Sequence, residues 1–111
     1  MEMNDKWDYT PERWVVLHFP NDEIKYRLLS GWLGGYLNGD SWRLNSGITA
    51  VSEFKDYIVF WGSSGSTYKC MRHLYGTTSL TNQVWKNIKK VRDENVFILD
   101  EDTIWNNLNF N

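Results

Sequence analysis

The sequence predicts an α+β fold: an antiparallel β-sheet of about five or six strands, with one amphipathic helix near residues 79–93 packed on it. Two short connections join three strand-like segments between residues 48 and 71, which predicts an antiparallel meander. After residue 77 the apolar spacing changes from that of a strand to that of a helix. The length of 111 residues predicts one domain over 1–111, with 1–12 and 100–111 as extended tails.

The first predicted strands form a hairpin over residues 13–30. Residues 13–19 are β-branched and aromatic, and the turn residues at 20–22 end this segment. Residues 24–28 then alternate apolar and basic side chains. The glycine-rich stretch 30–40 is typical of a loop, and a short strand is predicted over 41–45.

The meander consists of predicted strands at 48–54, 57–61 and 67–71. Alternation along the last strand puts Tyr68 and Cys70 on one face and Lys69 and Met71 on the other. Cys70 is the only cysteine, so we expect a packed core thiol, no intramolecular disulfide and a reducing compartment.

The predicted helix has an apolar face and a basic face. Its apolar face consists of Leu80, Val84, Trp85, Ile88 and Val91, and its basic face of Lys86, Lys89, Lys90 and Arg92. Ser79 or Thr81 is expected to cap its start. Residues 96–99 predict a last strand.

Charge and glycine are concentrated in the middle of the chain. Residues 25–92 carry ten basic and three acidic side chains, whereas both flanking segments are acidic, and all eight glycines lie between residues 31 and 76. Glycine allows close backbone approach, and basic side chains beside aromatic rings suit phosphates and bases, so this centre is expected to form a binding surface. The acidic N-terminus and the short apolar runs predict no secretory signal, no membrane partner and a cytoplasmic location.

The densest group of candidate binding residues lies between Gly39 and Gly47. Arg43 is suited to phosphate, and Trp42 or Tyr36 to stacking on a planar ring. In the alternative interpretation Arg43 pairs with Asp40 while Trp42 fills the core. The sequence favours neither.

A second glycine- and serine-rich segment runs from residue 62 to 66. It resembles loops whose backbone N–H groups hold an anion, but it lacks the Gly-Lys-Ser/Thr of a P-loop. The alternative is a solvent-exposed hairpin turn. The full set of predicted ligand-binding residues is Trp32, Tyr36, Asp40, Trp42, Arg43, Asn45, Ser46, Ser64, Ser66, Tyr68, Lys69 and Arg72.

The sequence does not predict an enzyme, and we assign no catalytic residue, no metal and no cofactor. The histidines at 18 and 73 and the single cysteine are too few for a typical zinc site. The acidic run 100–102 is typical of a solvated patch. A non-enzymatic binding protein is therefore expected.

Several short segments of residues 26–76 carry a resemblance to a known family. They are Gly31-Trp32, Gly34-Gly-Tyr36, Gly39-Asp-Ser-Trp-Arg43, Asn45-Ser-Gly-Ile48, Ser64-Gly-Ser66 and Tyr68-x-Cys70. In these the chain resembles small accessory proteins of tailed phages. The resemblance implies a protein acting early in infection by binding, either blocking a host enzyme or sequestering a nucleotide signal of antiviral defence. It assigns no role to any single residue.

Two functional hypotheses follow. The first is a phage counter-defence protein that sequesters a phosphorylated small ligand, such as a nucleotide signal. The second is an inhibitor of a host nuclease or defence effector that docks through the acidic, aromatic ends, with residues 100–102, Trp105 and Phe110 as contacts. Nucleic-acid binding is the third and less favoured partner class. The surplus of aromatic side chains also predicts a homo-oligomer.

Overall fold

A computed structural model describes residues 7–34 and 39–110 of the chain. In chain order its strands are β1 (Arg13–His18), β2 (Tyr26–Trp32), β3 (Ser41–Leu44), β4 (Ile48–Glu53), β5 (Tyr57–Gly62), β6 (Thr67–Met71) and β7 (Phe97–Ile98). One α-helix, α1 (Ser79–Val91), and two 3₁₀ turns, Arg72–Leu74 and Trp105–Asn107, complete the described elements.

The strands form two antiparallel sheets, which confirms the α+β prediction. Sheet 1 has the order β3-β2-β1-β7, and sheet 2, with the order β4-β5-β6, is the predicted meander. The predicted strand at 96–99 exists as β7, where Leu17 pairs with Ile98 and His18 with Phe97. The sheet predicted from the sequence is divided in two, because the consecutive strands β3 and β4 do not pair with each other.

Sheet 1 is covered on both faces, which explains the continuous apolar run of β1. Trp14 and Val16 face sheet 2, whereas Val15 and Leu17 face α1, and all four are at most 2% exposed. A strand buried on both faces shows no polar alternation. The protein therefore has three layers in the order α1, sheet 1 and sheet 2.

The core between the two sheets is rich in aromatic side chains. Trp14 packs on Phe60 and on Tyr75, and its indole Nε1 donates to the carbonyl of Met71 at 2.8 Å. Trp105, from the second 3₁₀ turn, contacts all three of these rings and is 1% exposed. Residues 100–110, expected as an extended tail, thus supply a central core residue, and Leu108 and Phe110 pack against the same cluster.

Helix α1 begins with a capping box whose N-cap lies one residue before the predicted start. Thr78 is the N-cap: its hydroxyl accepts from the Thr81 N–H at 3.0 Å, and the Thr81 hydroxyl accepts from the Thr78 N–H at 2.8 Å. The expectation that Ser79 or Thr81 caps the helix is wrong, because Thr81 is the reciprocal partner three residues on.

The start of α1 lies directly on β2 at Gly31. A Cβ atom at this position would lie 2.8 Å from Cγ2 of Thr81 and 3.0 Å from Cγ2 of Thr78. Glycine is therefore required here by close approach. Residues 30–32, expected in a loop, belong to β2 because Ser30 and Gly31 pair with β1 and with β3.

The 13-residue α1 is too short to cross a membrane, and no other helix among residues 7–34 and 39–110 is long and apolar enough to do so.

Candidate functional site

The segment before β1 bridges the two sheets and brings a tyrosine between them. Tyr9 exchanges backbone hydrogen bonds with β6, donating to the Thr67 carbonyl at 3.0 Å and accepting from the Lys69 N–H at 2.9 Å. Three residues later the Glu12 N–H donates to the carbonyl of Gly31 in β2 at 3.0 Å. These bonds fix the backbone of this segment between the two sheets, and the Tyr9 ring lies against Tyr68 of sheet 2.

Side chains of this segment and of both sheets meet here, and we call them the Arg43 cluster: Tyr9, Trp32, Arg43 and Tyr68. The rings of Tyr9 and Tyr68 stack with centroids 4.9 Å apart, and Trp32 lies tilted against Tyr9 at 6.0 Å. The Arg43 guanidinium lies 4.6 Å from the centroid of the Tyr9 ring, a favourable cation–π distance. Its Nε donates to the Tyr68 hydroxyl at 2.9 Å.

This geometry fixes the Arg43 guanidinium while leaving its outer edge open. Only Nε is engaged in a hydrogen bond to the protein, and neither Nη atom has a partner within residues 7–34 and 39–110. The hydrogen bond to Tyr68 raises the pKa of Arg43 above its ordinary value, which itself already keeps an arginine charged at physiological pH. The two Nη atoms of this fixed, planar cation can donate to two oxygens of one phosphate or carboxylate.

A buried hydroxyl lies beneath the same cluster. Ser30 is the cross-strand partner of Arg43, on the same face of sheet 1, and is completely buried. Its Oγ has no hydrogen-bond partner in the described part of the chain. A buried hydroxyl without a hydrogen-bond partner costs free energy, so Ser30 lowers the stability of this part of sheet 1.

Trp42 does not join Arg43, because neighbouring residues of β3 point to opposite faces. Trp42 pairs with Gly31 on the helix side of sheet 1 and is 47% exposed. The alternative interpretation of this segment is not what the structure shows: Trp42 is no core residue, and Arg43 bonds to Tyr68 and not to Asp40. Asp40 is an exposed residue just before β3.

Asn45 and Ser46 lie in the connection between β3 and β4. Asn45 is 3% exposed, and its side-chain amide is used by the backbone, accepting from the Leu28 N–H at 2.8 Å and donating to the Gly47 carbonyl at 3.3 Å. Ser46 is exposed and shares a 2.6 Å hydroxyl contact with Ser63. The structure therefore gives Asn45 a structural role and brings the two glycine- and serine-rich segments side by side.

The segment 62–66 is the turn between β5 and β6. The N–H groups of Gly62, Ser63 and Gly65 donate to the carbonyls of Ser66, Gly47 and Gly62, at 2.8, 2.8 and 2.9 Å. Gly65 has φ +94°, a conformation that favours glycine. Since these three N–H groups are engaged, they are not available to an anion. Ser64 and Ser66 thus lie in the turn whose Ser63 contacts Ser46, and neither hydrogen-bonds to the Arg43 cluster within the described residues.

The side chains of Lys69 and Arg72 do not join the Arg43 cluster. The Nζ of Lys69 lies 4.7 Å from the centroid of the Tyr57 ring, on the face of sheet 2 opposite the core. Arg72 forms a 3.0 Å ion pair with Glu53 and donates through Nε to the Phe54 carbonyl. Of the predicted site residues, the structure therefore brings together Trp32, Arg43 and Tyr68. Tyr36 lies outside the described residues.

Tyr9 is the member of the cluster that sequence reasoning missed. It stands alone in an acidic segment with no apolar period, and its position depends on pairing with β6, which is 59 residues further along the chain. The parallel bridge between Tyr9 and Tyr68 is a non-local contact that no local pattern predicts.

Cys70 is a packed thiol, as expected from strand alternation. It is completely buried in β6, and burial raises the pKa of the thiol well above its ordinary value. Within the described ranges no three His, Cys, Asp or Glu side chains lie close enough together to hold a metal ion.

In comparisons with known proteins, no family model, no curated protein and no solved structure matches this chain.

Proposed function

We propose that the protein binds and sequesters a phosphorylated small ligand, a nucleotide signal being the best fit, at the Arg43 cluster. The observation that carries this proposal is the state of Arg43. Its guanidinium is fixed by the Tyr68 hydroxyl over the Tyr9 ring, while neither Nη atom has a partner among the residues described. A cation positioned before the ligand arrives loses little conformational entropy on binding.

The cluster supplies the two kinds of contact that a nucleotide uses. Arg43 offers parallel N–H donors to phosphate oxygens. Trp32 is half-buried, anchored by a 3.3 Å hydrogen bond from its indole Nε1 to the Thr10 carbonyl, and it offers a flat surface for a base. A ligand with an anionic group beside a planar ring would use both.

The resemblance to tailed-phage accessory proteins supports a biological setting for this activity. The stretch that carries it, residues 26–76, includes Trp32, Arg43 and Tyr68 of the cluster. In this proposal the protein acts in the cytoplasm of an infected host, where it lowers the free concentration of a nucleotide used in antiviral defence. We also propose that it does so as a homo-oligomer.

The rival hypothesis, an inhibitor that docks on a host nuclease through its acidic, aromatic ends, receives less support. Its aromatic contacts are occupied: Trp105 is 1% exposed, and Phe110 packs edge-on against Tyr26 at 5.7 Å. The exposed acidic residues 100–102 and Ile104, which is 62% exposed, remain as a surface for such a partner.

Native mass spectrometry of the purified protein, with and without a panel of linear and cyclic nucleotides, tests the proposal. We expect a stoichiometric adduct that releases an unchanged nucleotide on denaturation, and the same spectrum gives the oligomeric state. Arg43→Gln should lose the adduct. Lys55→Gln, which removes one positive charge from an exposed turn, should keep it.

A thermal melt of both variants separates binding from folding. If Arg43→Gln melts close to the wild type and binds nothing, Arg43 is a ligand contact. If no nucleotide in the panel forms an adduct, or if both variants lose it equally, the proposal is refuted. The search then moves to host proteins captured by the wild type but not by a variant with residues 100–102 neutralised.

A further inference from the structure

A groove separate from the Arg43 cluster runs between the C-terminal half of α1 and the edge of sheet 1. We call it the Phe19 groove, and its volume is about 390 Å³. It is lined by Phe19, Arg27, Leu44, Asn87, Ile88, Val91 and Arg92. It lies on the helix side of sheet 1, whereas Arg43 lies on the side facing sheet 2, so the two sites are independent.

The floor and one wall of the groove are apolar. Phe19 is 2% exposed at the bottom, and Leu44 and Ile88 are half-buried beside it. Val91 forms part of the wall and is 79% exposed. An aliphatic side chain this exposed at the mouth of an apolar groove gains free energy when another apolar group covers it.

Two guanidinium groups lie over the Phe19 ring. The Cζ atom of Arg92 is 5.0 Å from the ring centroid and that of Arg27 is 5.8 Å away. Arg92 is paired with the Asp22 carboxylate at 2.7 Å. Arg27 donates to the Asn45 carbonyl at 3.3 Å, and no carboxylate in the described part of the chain lies within ion-pair distance of it.

Basic side chains beside the groove act together on the Asp22 carboxylate. The hydrogen bond from Arg92 holds the pKa of Asp22 below its ordinary value, and the charges of Arg27 and Lys25 act in the same direction. Three cations therefore act on this one carboxylate. A second anion placed near Arg27 would meet a cation that has no carboxylate of the described chain within ion-pair distance.

We propose that the Phe19 groove binds a small amphiphilic carboxylate, with its head on Arg27 and its aliphatic body along Phe19, Leu44, Ile88 and Val91. The charge of Arg27 selects an anionic head, and the apolar floor selects an aliphatic body. The volume lies at the lower end of the range of small-molecule sites, which fits one short chain and not a protein segment.

Titration of the ¹⁵N-labelled wild type with decanoate, followed by NMR, tests this proposal. We expect saturable shifts confined to the amides near Phe19 and at residues 88–92, with a dissociation constant in the millimolar range or below. Arg27→Gln should weaken binding about tenfold, because it removes a charge-assisted hydrogen bond. Lys86→Gln, which removes one charge from the exposed face of α1, should leave the affinity within about twofold of wild type.

A second variant and a second probe keep the test independent of any effect of Arg27 on folding. Val91→Asp adds a negative charge at a side chain that is 79% exposed, so it should prevent decanoate binding. Because Val91 ends α1, the new carboxylate opposes the helix dipole, and the melting temperature should fall only slightly. Decanol, which lacks the charge, should bind the wild type and Arg27→Gln equally and weakly. Equal weakening by Arg27→Gln and Lys86→Gln, or shifts outside the groove, would overturn the proposal, as would unchanged binding in Val91→Asp.

Discussion

Replacing Gly31 by alanine tests how α1 is seated on sheet 1. The new Cβ atom would lie 2.8 Å from Cγ2 of Thr81, closer than such atoms approach in proteins. Thr81 is 2% exposed, and rotating it away would break the capping box, because its hydroxyl accepts from the Thr78 N–H. The crowding can therefore be relieved only by a shift of the helix or by loss of the cap.

The expected change in the free energy of unfolding is the difference between two opposing effects of the substitution. Overpacking of a close-packed site costs about 1–3 kcal/mol. Replacing glycine by alanine also restricts the unfolded chain, which returns about 0.4–1 kcal/mol. We therefore expect Gly31→Ala to lower the free energy of unfolding by about 1–2 kcal/mol, or the melting temperature by roughly 4–8 °C in a domain of this size.

Urea denaturation of a double-mutant cycle provides the assay. Thr81→Ser removes the methyl group nearest to the new Cβ and keeps the hydroxyl that completes the cap. In this background Gly31→Ala should cost less, with a coupling of about 0.5 kcal/mol or more. The contact at 3.0 Å to Thr78 remains, so the rescue should be partial. An unchanged denaturation midpoint in Gly31→Ala, or an equal cost in both backgrounds, would refute this account.

Two further predictions concern the core and the pH dependence of stability. Trp105→Ala should lower the free energy of unfolding, measured in urea, by about 3–5 kcal/mol, because a buried indole is lost. The control Ile104→Ala, at a neighbour that is 62% exposed, should change it by about 0.5 kcal/mol or less. Similar small effects of both substitutions would show that Trp105 is not a core residue. Burial alone would raise the pKa of Glu53, but hydrogen bonds from the Asn106 N–H and from Arg72 outweigh it and hold the pKa below the ordinary 4.5. This carboxylate therefore contributes stability above pH 4.5 that is lost as the pH falls through its lower folded-state pKa. The melting temperatures of wild type and Glu53→Gln should differ most above pH 4.5 and converge at lower pH. A difference in melting temperature that stays constant with pH would contradict this role of Glu53.

The elements that could be predicted are those specified by local patterns. The meander and α1 were found because period and turn residues lie within a few positions of one another. The division into two sheets was not predicted, because the choice of partner for β3 and β4 depends on contacts between distant segments. The sequence predicts a loop at Gly31, because no local pattern identifies a strand glycine against which a helix packs.

The candidate site was predictable only in part, for the same reason. Arg43 and Tyr68 were selected for their chemistry, and they lie 25 residues apart in sequence, yet they meet through a 2.9 Å hydrogen bond. Tyr9 could not be selected, because its position depends on pairing with β6. Asn45 was selected for its amide, which the structure shows engaged with the backbone of Leu28 and Gly47.

The position of Trp105 has a consequence for how the protein is made. Because Trp105 follows β1 to β6 in the chain, all six strands are synthesised before the indole that completes the core between the two sheets. Until then Trp14 and Phe60 have an incomplete set of neighbours, and an incomplete apolar core exposed during synthesis favours aggregation or chaperone binding. The native core is thus completed only after residue 105 has been made, and a chain that stops before this residue should be insoluble and not partly active.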